Sequence, residues 1–365
     1  MSIRSQTRRI RTVARETVFF AKGYRQLRRT NKTPSESYQS LRKLYCLTNG
    51  RFNDAVSWVL SRFHPVSKLP PAGSILGDVS EDAVTRVVED IQTNGFHVFD
   101  RKLGSETVNS LRAFAETIPC QAILTSNEQK VGEYADKLAP YRQHPVESPK
   151  YDITQRDILC DPTVQQLLMD SGLHRIAQAV LRCAPILDMV AMWWSRPFHG
   201  KASSEAAQLY HFDMDRIKFI KFFFYLTDVT PESGPHCYVR GSSKRKPAAI
   251  LRDGRIPDEE ICRHYPPEDL VEICGERGSI IAVDTRGWHK GKALTEGERL
   301  NLQIEFTNSM FGQNYSKTDL PKEANSSFCE FVHNHPRMFQ GIITQFPHDH
   351  SSVGGNKGVD SLARS

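Results

Sequence analysis

From Arg299 to Phe306 the chain alternates polar and apolar residues without a break: Arg299-Leu-Asn301-Leu-Gln303-Ile-Glu-Phe306. A period of two means an extended strand whose side chains leave on opposite faces. Leu300, Leu302, Ile304 and Phe306 then enter a core, while Arg299, Asn301 and Gln303 share the other face. An arginine at the head of such a strand, turned into a barrel, needs a buried anion to pair with. A carboxylate suits it, because a guanidinium can bind one through two parallel hydrogen bonds.

Five further runs read as strands, at 189–195, 208–212, 217–226, 237–240 and 279–283, with turns such as Glu232-Ser-Gly-Pro235 between them. Helical spacing precedes them. Ser80 caps a helix carrying Val84, Val87, Val88 and Ile91 on one face; Asn94-Gly95 ends it, and a short strand follows at 96–99. A second helix, capped by Ser105, carries Val108, Leu111 and Phe114. Helices followed by several short strands predict an α+β fold on a β-barrel or jelly roll. Three zones result: a basic helical extension over 1–75, a main domain over 76–320, and a C-terminal segment over 321–365 ending in a loose tail from Gly354. A linker is expected at 68–73. The polar stretch 241–275 reads as an insertion or lid that could carry specificity.

Composition excludes several classes. No stretch of the 365 residues approaches the roughly 18–20 apolar residues of a membrane span. No apolar leader precedes a small-residue cleavage site, so secretion is not expected. The eight cysteines stand singly, without a Cys-x-x-Cys pair, which argues against a disulfide framework or a structural zinc site and for a cytoplasmic protein. The net charge of +6 is concentrated at one end. Arg4, Arg8, Arg9, Arg11, Arg15, Lys22, Arg25, Arg28 and Arg29 face only Glu16, with Ile10, Val13, Phe19 and Phe20 among them. This region fits a solvated basic helix, a peripheral contact with a membrane or acidic partner through residues 1–30, or an organelle-targeting segment. No nucleic-acid-binding motif follows it.

The chemistry centres on Gln208-Leu-Tyr-His211-Phe-Asp213-Met-Asp215-Arg216. Residues i and i+2 of a strand point to the same side, so His211 and Asp213 can reach one metal. A third ligand comes from His289, within Asp284-Thr-Arg-Gly-Trp-His289-Lys-Gly291, whose glycines allow a tight turn. Two histidines and one carboxylate on one face of iron(II) leave positions for a bidentate 2-oxo acid and dioxygen. Arg299 then supplies the cation for the distal carboxylate of 2-oxoglutarate. His-x-Asp alone carries little weight; the combination carries the reading.

These motifs, together with Lys221-Phe-Phe-Phe-Tyr-Leu-Thr-Asp-Val-Thr-Pro-Glu-Ser-Gly-Pro235 and Val239-Arg-Gly-Ser-Ser-Lys244, resemble the phytanoyl-CoA dioxygenase family. The likeness spans about residues 78 to 310. It implies a double-stranded β-helix (jelly-roll) core with flanking N-terminal helices. It also implies an enzyme using Fe(2+), 2-oxoglutarate and O2, with His211, Asp213 and His289 as metal ligands and Arg299 on the co-substrate. The chain departs from the family at Gly291, where a serine is common, and at Gly241-Ser-Ser243, which lacks the family's turn histidine. Halogenating relatives replace the carboxylate ligand, so Asp213 favours hydroxylation of a small-molecule or conjugated (CoA, lipid or sugar) substrate.

Lys221 interrupts an apolar strand and is a candidate partner for 2-oxoglutarate or Asp213; an outward lysine is the plain alternative. Gln208 is a candidate for the co-substrate pocket, and Trp193, His236 and Arg240 for the substrate. Trp193-Trp194 equally suits plain core. Asp215 reads as a solvated turn residue or a partner of Arg216, and His333, His335, His348 and His350 as surface residues. A rival function is a metal-binding β-barrel with a non-oxidative or ligand-sensing role.

Overall fold

The computed structural model describes residues 3–66, 73–124, 134–198 and 206–344. Three helices lead: α1 Ile3–Thr30, α2 Ser35–Thr48 and α3 Arg51–Phe63. Then come α4 Glu81–Asn94, β1 Phe96–Val98, α5 Ser105–Thr117, β2 Pro119–Ile123, β3 Tyr134–Pro140 and β4 Lys150–Ile153. The short helices α6 Gln155–Cys160, α7 Pro162–Leu168 and α8 Ser171–Leu181 precede the long β5 Ile186–Ser195. The rest is β6 Phe219–Tyr225, β7 His236–Val239, α9 Asp258–Cys262, β8 Leu270–Ile273, β9 Ile280–Val283, β10 His289–Gly291, β11 Arg299–Thr307, α10 Ser326–Asn334 and α11 Pro336–Phe339.

All strand pairings are antiparallel. Eight strands form one sheet in the order β1-β9-β6-β11-β5-β4-β2-β3, and β10-β7-β8 form a second. This is the expected mixed architecture with a two-sheet core. The alternation on β11 explains the layering. Leu300, Leu302, Ile304 and Phe306 join Phe222 and Phe224 of β6 against helices α4 to α8, α10 and α11. On the opposite face Phe223, Tyr225, Ile281 and Val283 meet Tyr238 and Ile273 of the small sheet. The space left between the sheets holds the site.

Several expectations need correction. The strand at 208–212 reduces to two isolated pairings, Tyr210 with Ile256 and His211 with His289. Ser105 opens α5, but the N-cap position belongs to Gly104 and no side chain caps it. The stretch 241–275 contains α9 and β8, and its Ile250, Ile256 and Ile261 are fully buried beside Tyr210, Phe212 and Trp288. Its end, β8, is itself a strand of the small sheet with Ile273 buried between the sheets, while the three isoleucines anchor the part before it in a separate cluster. After residue 310 the chain is not wholly irregular: α10 and α11 bury Phe328, Val332 and Phe339. Residues 67–72, most of the expected linker, and the tail with His348 and His350 lie outside the described residues.

The basic N-terminal helices pack on the core. Phe20, Leu27, Leu41, Leu44 and Leu60 form one cluster with Ile217 and Phe311, which flank the β-sandwich strands. The amide of Asn53 donates to the carbonyl of Ile217 (3.1 Å), and the Tyr45 hydroxyl donates to that of Arg286 (3.1 Å). Of the apolar residues noted in α1, Phe20 is buried and Val13 packs against this cluster, whereas Ile10 and Phe19 are exposed. No helix of the described residues is long and apolar enough to cross a membrane.

Leu44→Ala removes a fully buried side chain at the centre of this cluster and is expected to cost about 2–5 kcal/mol, read as a shift of the urea midpoint. Far-UV dichroism and tryptophan fluorescence should report one common transition. Two separated transitions would show instead that helices α1 to α3 fold apart from the sheets.

Candidate active site

His211 and His289 are fixed by their backbones before their side chains act. The amide of His211 donates to the carbonyl of His289 (3.0 Å), and the amide of His289 donates to that of His211 (2.8 Å). This reciprocal pair extends the small sheet by one rung and holds the two imidazoles with centroids 4.3 Å apart. Asp213 is tied in the same way, its amide donating to the carbonyl of Thr285 (2.8 Å). Between them Phe212 points outward, edge-on to Trp288 (4.6 Å) and stacked on Tyr45 (5.3 Å). Period-two geometry therefore survives locally, although no continuous strand forms there.

The turn before His289 is tight. An added Cβ at Gly287 would lie 1.9 Å from the Tyr238 hydroxyl, so only glycine fits. Ser242 takes over the turn: its hydroxyl donates to the carbonyl of Val239 (2.6 Å) and accepts from the amide of Trp288 (2.7 Å). The histidine absent from Gly241-Ser-Ser243 is not needed for this.

Each of the two histidines has one nitrogen committed. His211 Nδ1 faces the carbonyl of Leu209 (2.9 Å) and His289 Nδ1 faces that of Gly287 (3.0 Å). A carbonyl only accepts, so both Nδ1 atoms carry the proton and both Nε2 lone pairs are free. Those lone pairs lie 3.7 Å and 3.6 Å from the two carboxylate oxygens of Asp213. Ligand atoms from all three residues fall within 4.8 Å of one another. Burial keeps the imidazoles neutral. It pulls His211 down to about 4 and His289 well below the usual histidine range, and Asp213 only partly offsets this. For Asp213 burial opposes ionisation, yet Lys221 and then the two imidazoles hold the carboxyl well below the usual carboxylate range. Two neutral imidazoles and one carboxylate fit a divalent first-row metal with open positions.

Lys221 reaches Asp213, the carboxylate of this candidate metal group. Its Nζ donates to Asp213 Oδ2 (2.8 Å) and lies 3.4 Å from Glu305 Oε2. Lys221 and Glu305 are direct cross-strand partners on β6 and β11. Glu305 is fully buried, and burial pushes its carboxyl upward while Lys221 opposes the shift.

Arg299 is also buried, and the one side-chain hydrogen bond it makes among the described residues is a long contact to Ser195 Oγ (3.4 Å). Its Nε has no partner, and among the described residues no carboxylate pairs with it. A guanidinium withdrawn from water without an anion is costly, so the arrangement calls for an anionic ligand. A Cβ at position 291 would stand 3.6 Å from Arg299 Nη2. Gly291 therefore leaves open the flank of the guanidinium that a side chain at 291 would occupy.

These groups line one cavity of about 540 Å³ between the sheets, together with Asn301 and Gln303. Trp193 and His236 line it as well, His236 with its ring 5.4 Å from that of His289. Trp194 is plain core. Gln208 is buried but does not line the cavity, although its neighbours Ala206 and Ala207 do. Arg240 is exposed elsewhere, donating to Asn94 Oδ1 (3.0 Å) over the Phe96 ring, so it is not part of the site. No residue of 241–275 lines the cavity either.

Its outer wall comes from residues the sequence reading passed over: Lys150 and Asp152 of β4, paired at 2.8 Å, with Tyr315 beyond β11. Asp215 also faces the cavity instead of solvent, and Arg216 pairs bidentately with buried Asp188 (2.6 and 2.7 Å). The signal for Asp215 was present, since it stands at i+2 from Asp213 as Asp213 does from His211. Glu305 likewise continues the Arg299-Asn301-Gln303 face. Lys150 and Tyr315 carry no such local signal.

The model of the phytanoyl-CoA dioxygenase family matches residues 91–300, more than half of the chain. Among solved structures, the chain is similar to the non-heme alpha ketoglutarate dependent carbocyclase SnoK from nogalamycin biosynthesis, with 18% identity over 64% of this chain and 86% of that one and a TM-score of 0.45. It is similar to EctD from S. alaskensis with 2-oxoglutarate and 5-hydroxyectoine, with 16% identity over 66% and 83% and a TM-score of 0.44. A third is HygX from Streptomyces hygroscopicus with nickel, 2-oxoglutarate and hygromycin B, with 17% identity over 66% and 94% and a TM-score of 0.41. No curated protein matches the chain by sequence.

The neutral imidazoles make the metal-free protein acid-sensitive. His236 is pulled down by burial to about 3 and His211 to about 4, from an ordinary 6.5. Below pH 6.5 the unfolded chain takes up protons that the folded chain refuses, so stability present above that value is lost as pH falls towards 4. Each such imidazole contributes a slope of roughly 1.4 kcal/mol per pH unit. His236→Phe should reduce the slope of metal-free stability between pH 6 and 5 by about one such proton; an unchanged slope would mean that His236 is not held neutral.

Proposed function

Because the chain belongs to the phytanoyl-CoA dioxygenase family, we propose that it is an iron(II)- and 2-oxoglutarate-dependent hydroxylase in which His211, Asp213 and His289 hold the metal and Arg299 takes the distal carboxylate of the co-substrate. The observation that carries this reading is the convergence of two free imidazole nitrogens and a carboxylate in the same cavity as a buried guanidinium that has no acid partner among the described residues.

When bound, iron would supply oxidation of a substrate C–H bond by dioxygen, coupled to decarboxylation of 2-oxoglutarate, one oxygen atom going to the substrate and the other to succinate. The chain's own groups do the rest. Leu209 and Gly287 keep the imidazoles in the ligating tautomer. Lys221 donates to one oxygen of Asp213 and holds the carboxylate ionised, so that its other oxygen would be free for the metal. Arg299 orients the co-substrate by two parallel hydrogen bonds. Trp193, His236 and the Lys150–Asp152 pair line the same cavity and would contact a small substrate there. Asp213 occupies the position that halogenation would need vacant, which supports hydroxylation.

A peripheral role is supported by the outer face of α1, where Arg8, Arg9, Arg11, Arg15, Lys22 and Arg25 are exposed beside Ile10 and Val18. That face suits an anionic surface.

Incubation with iron(II), ascorbate, dioxygen and 2-oxoglutarate should yield succinate, even slowly without substrate. His211→Ala should abolish it. Arg299→Gln should keep metal binding but weaken 2-oxoglutarate by about 30-fold or more, the equivalent of roughly 2 kcal/mol for removing one partner of a buried charged pair. Equal succinate from wild type and His211→Ala would overturn the oxygenase reading; no succinate at all, with metal still bound, would favour a ligand sensor.

A further inference from the structure

A second cavity, of about 300 Å³, lies on the far side of the turn that carries His289, between α3, α4 and the end of α8. Lys218, just before β6, lines it. Its backbone carbonyl is fixed by the amide of Asn308 (3.1 Å) and the hydroxyl of Thr307 (3.0 Å). Its ammonium, in contrast, has no hydrogen bond or ion pair among the described residues. Burial and the neighbouring Arg286 pull this lysine down to about 8, against a partial pull upward from Asp284 and Asp54.

Those two acids are already committed. Asp284 binds Arg286 through Nη2 (2.8 Å) and Nε (3.0 Å), and Asp54 binds its Nη1 (2.9 Å). Two more cations, Arg182 and Lys244, line the cavity without ion-pair partners among the described residues, and both are exposed. Arg182 is held at φ 59 as the C-cap of α8. Ser61 and Ser243 add hydroxyls, and Trp58 offers a largely exposed ring. Three unpaired cations thus outweigh the single surplus negative charge of the Asp54–Arg286–Asp284 group.

We propose that this cavity is an anion site for a phosphate group, with Lys218 at its base and Arg182 and Lys244 at its rim. A partly buried ammonium without a partner is destabilising, and a phosphate supplies acceptor oxygens for charge-assisted hydrogen bonds from several cations at once. The site is separate from the one that Arg299 serves. It touches Arg286, which stands three residues before His289; the carbonyl of Arg286 accepts from the Tyr45 hydroxyl and the Lys246 ammonium. The proposal does not depend on the oxygenase reading, because it concerns cations outside that cavity.

Thermal unfolding in sodium phosphate, against sodium chloride of equal ionic strength, tests it. The wild-type melting temperature should rise in phosphate beyond the chloride control. In Lys218→Met the ligand-free melting temperature should be no lower than wild type, and phosphate should bind about tenfold or more weakly by calorimetry. Should Lys218→Met fail to fold, the exposed pair Arg182→Ala and Lys244→Ala should show the same loss of the phosphate-specific rise. A wild-type protein that responds equally to phosphate and chloride, or a rise that persists after these substitutions, would overturn the proposal.

Discussion

The reciprocal hydrogen bonds between the backbones of His211 and His289 are the constraint on which the site depends. They join a segment without regular structure to the edge of the small sheet and fix both imidazoles at once. Everything around them serves that register. Phe212 and Trp288 lock its outer side, Gly287 gives Tyr238 room, and Ser242 ties the turn to the end of β7. The supporting groups are packed or hydrogen-bonded side chains on separate elements, which is how a ligand set can be held in place before a metal arrives.

Charge sets the remainder. One end of the cavity holds a chain of alternating sign, from Asp213 through Lys221 to Glu305, in which each ion has a neighbour. Arg299 is the exception, a buried cation that has no acid partner among the described residues. In a medium of low polarity such an imbalance is costly unless a ligand removes it. The position of that imbalance distinguishes a binding group from a structural ion pair such as Arg216–Asp188.

Much of this was legible in the sequence, and the reasons are specific. The Arg299–Phe306 alternation was readable because one face of β11 is core and the other is a polar cavity. His211 and Asp213 were readable because spacing by two survives even in an isolated pairing. Lys221 stood out as a charge in an otherwise apolar strand, and the structure assigns it to Asp213 and Glu305. What failed depended on distant contacts. The polarity of 241–275 suggested a lid, but three spaced isoleucines anchor it away from the cavity. Arg240 belonged to a motif yet leaves the sheet on its solvent side. Lys150, Asp152 and Tyr315 reach the site only through the order in which β4 and β5 pair and the path of the chain after β11, which no local pattern encodes. The packing of α1 to α3 onto Ile217 and Phe311 is likewise invisible in helical periodicity alone.

The most direct test of the central claim is anaerobic absorption spectroscopy as 2-oxoglutarate is added to the iron(II)-loaded protein. Chelation of one iron by His211, Asp213, His289 and a 2-oxo acid predicts a visible charge-transfer band that saturates with 2-oxoglutarate. The band should be lost in His289→Ala and should require higher 2-oxoglutarate in Arg299→Gln. A wild-type protein that binds iron but shows no band, or a His289→Ala protein that shows it undiminished, would contradict the account.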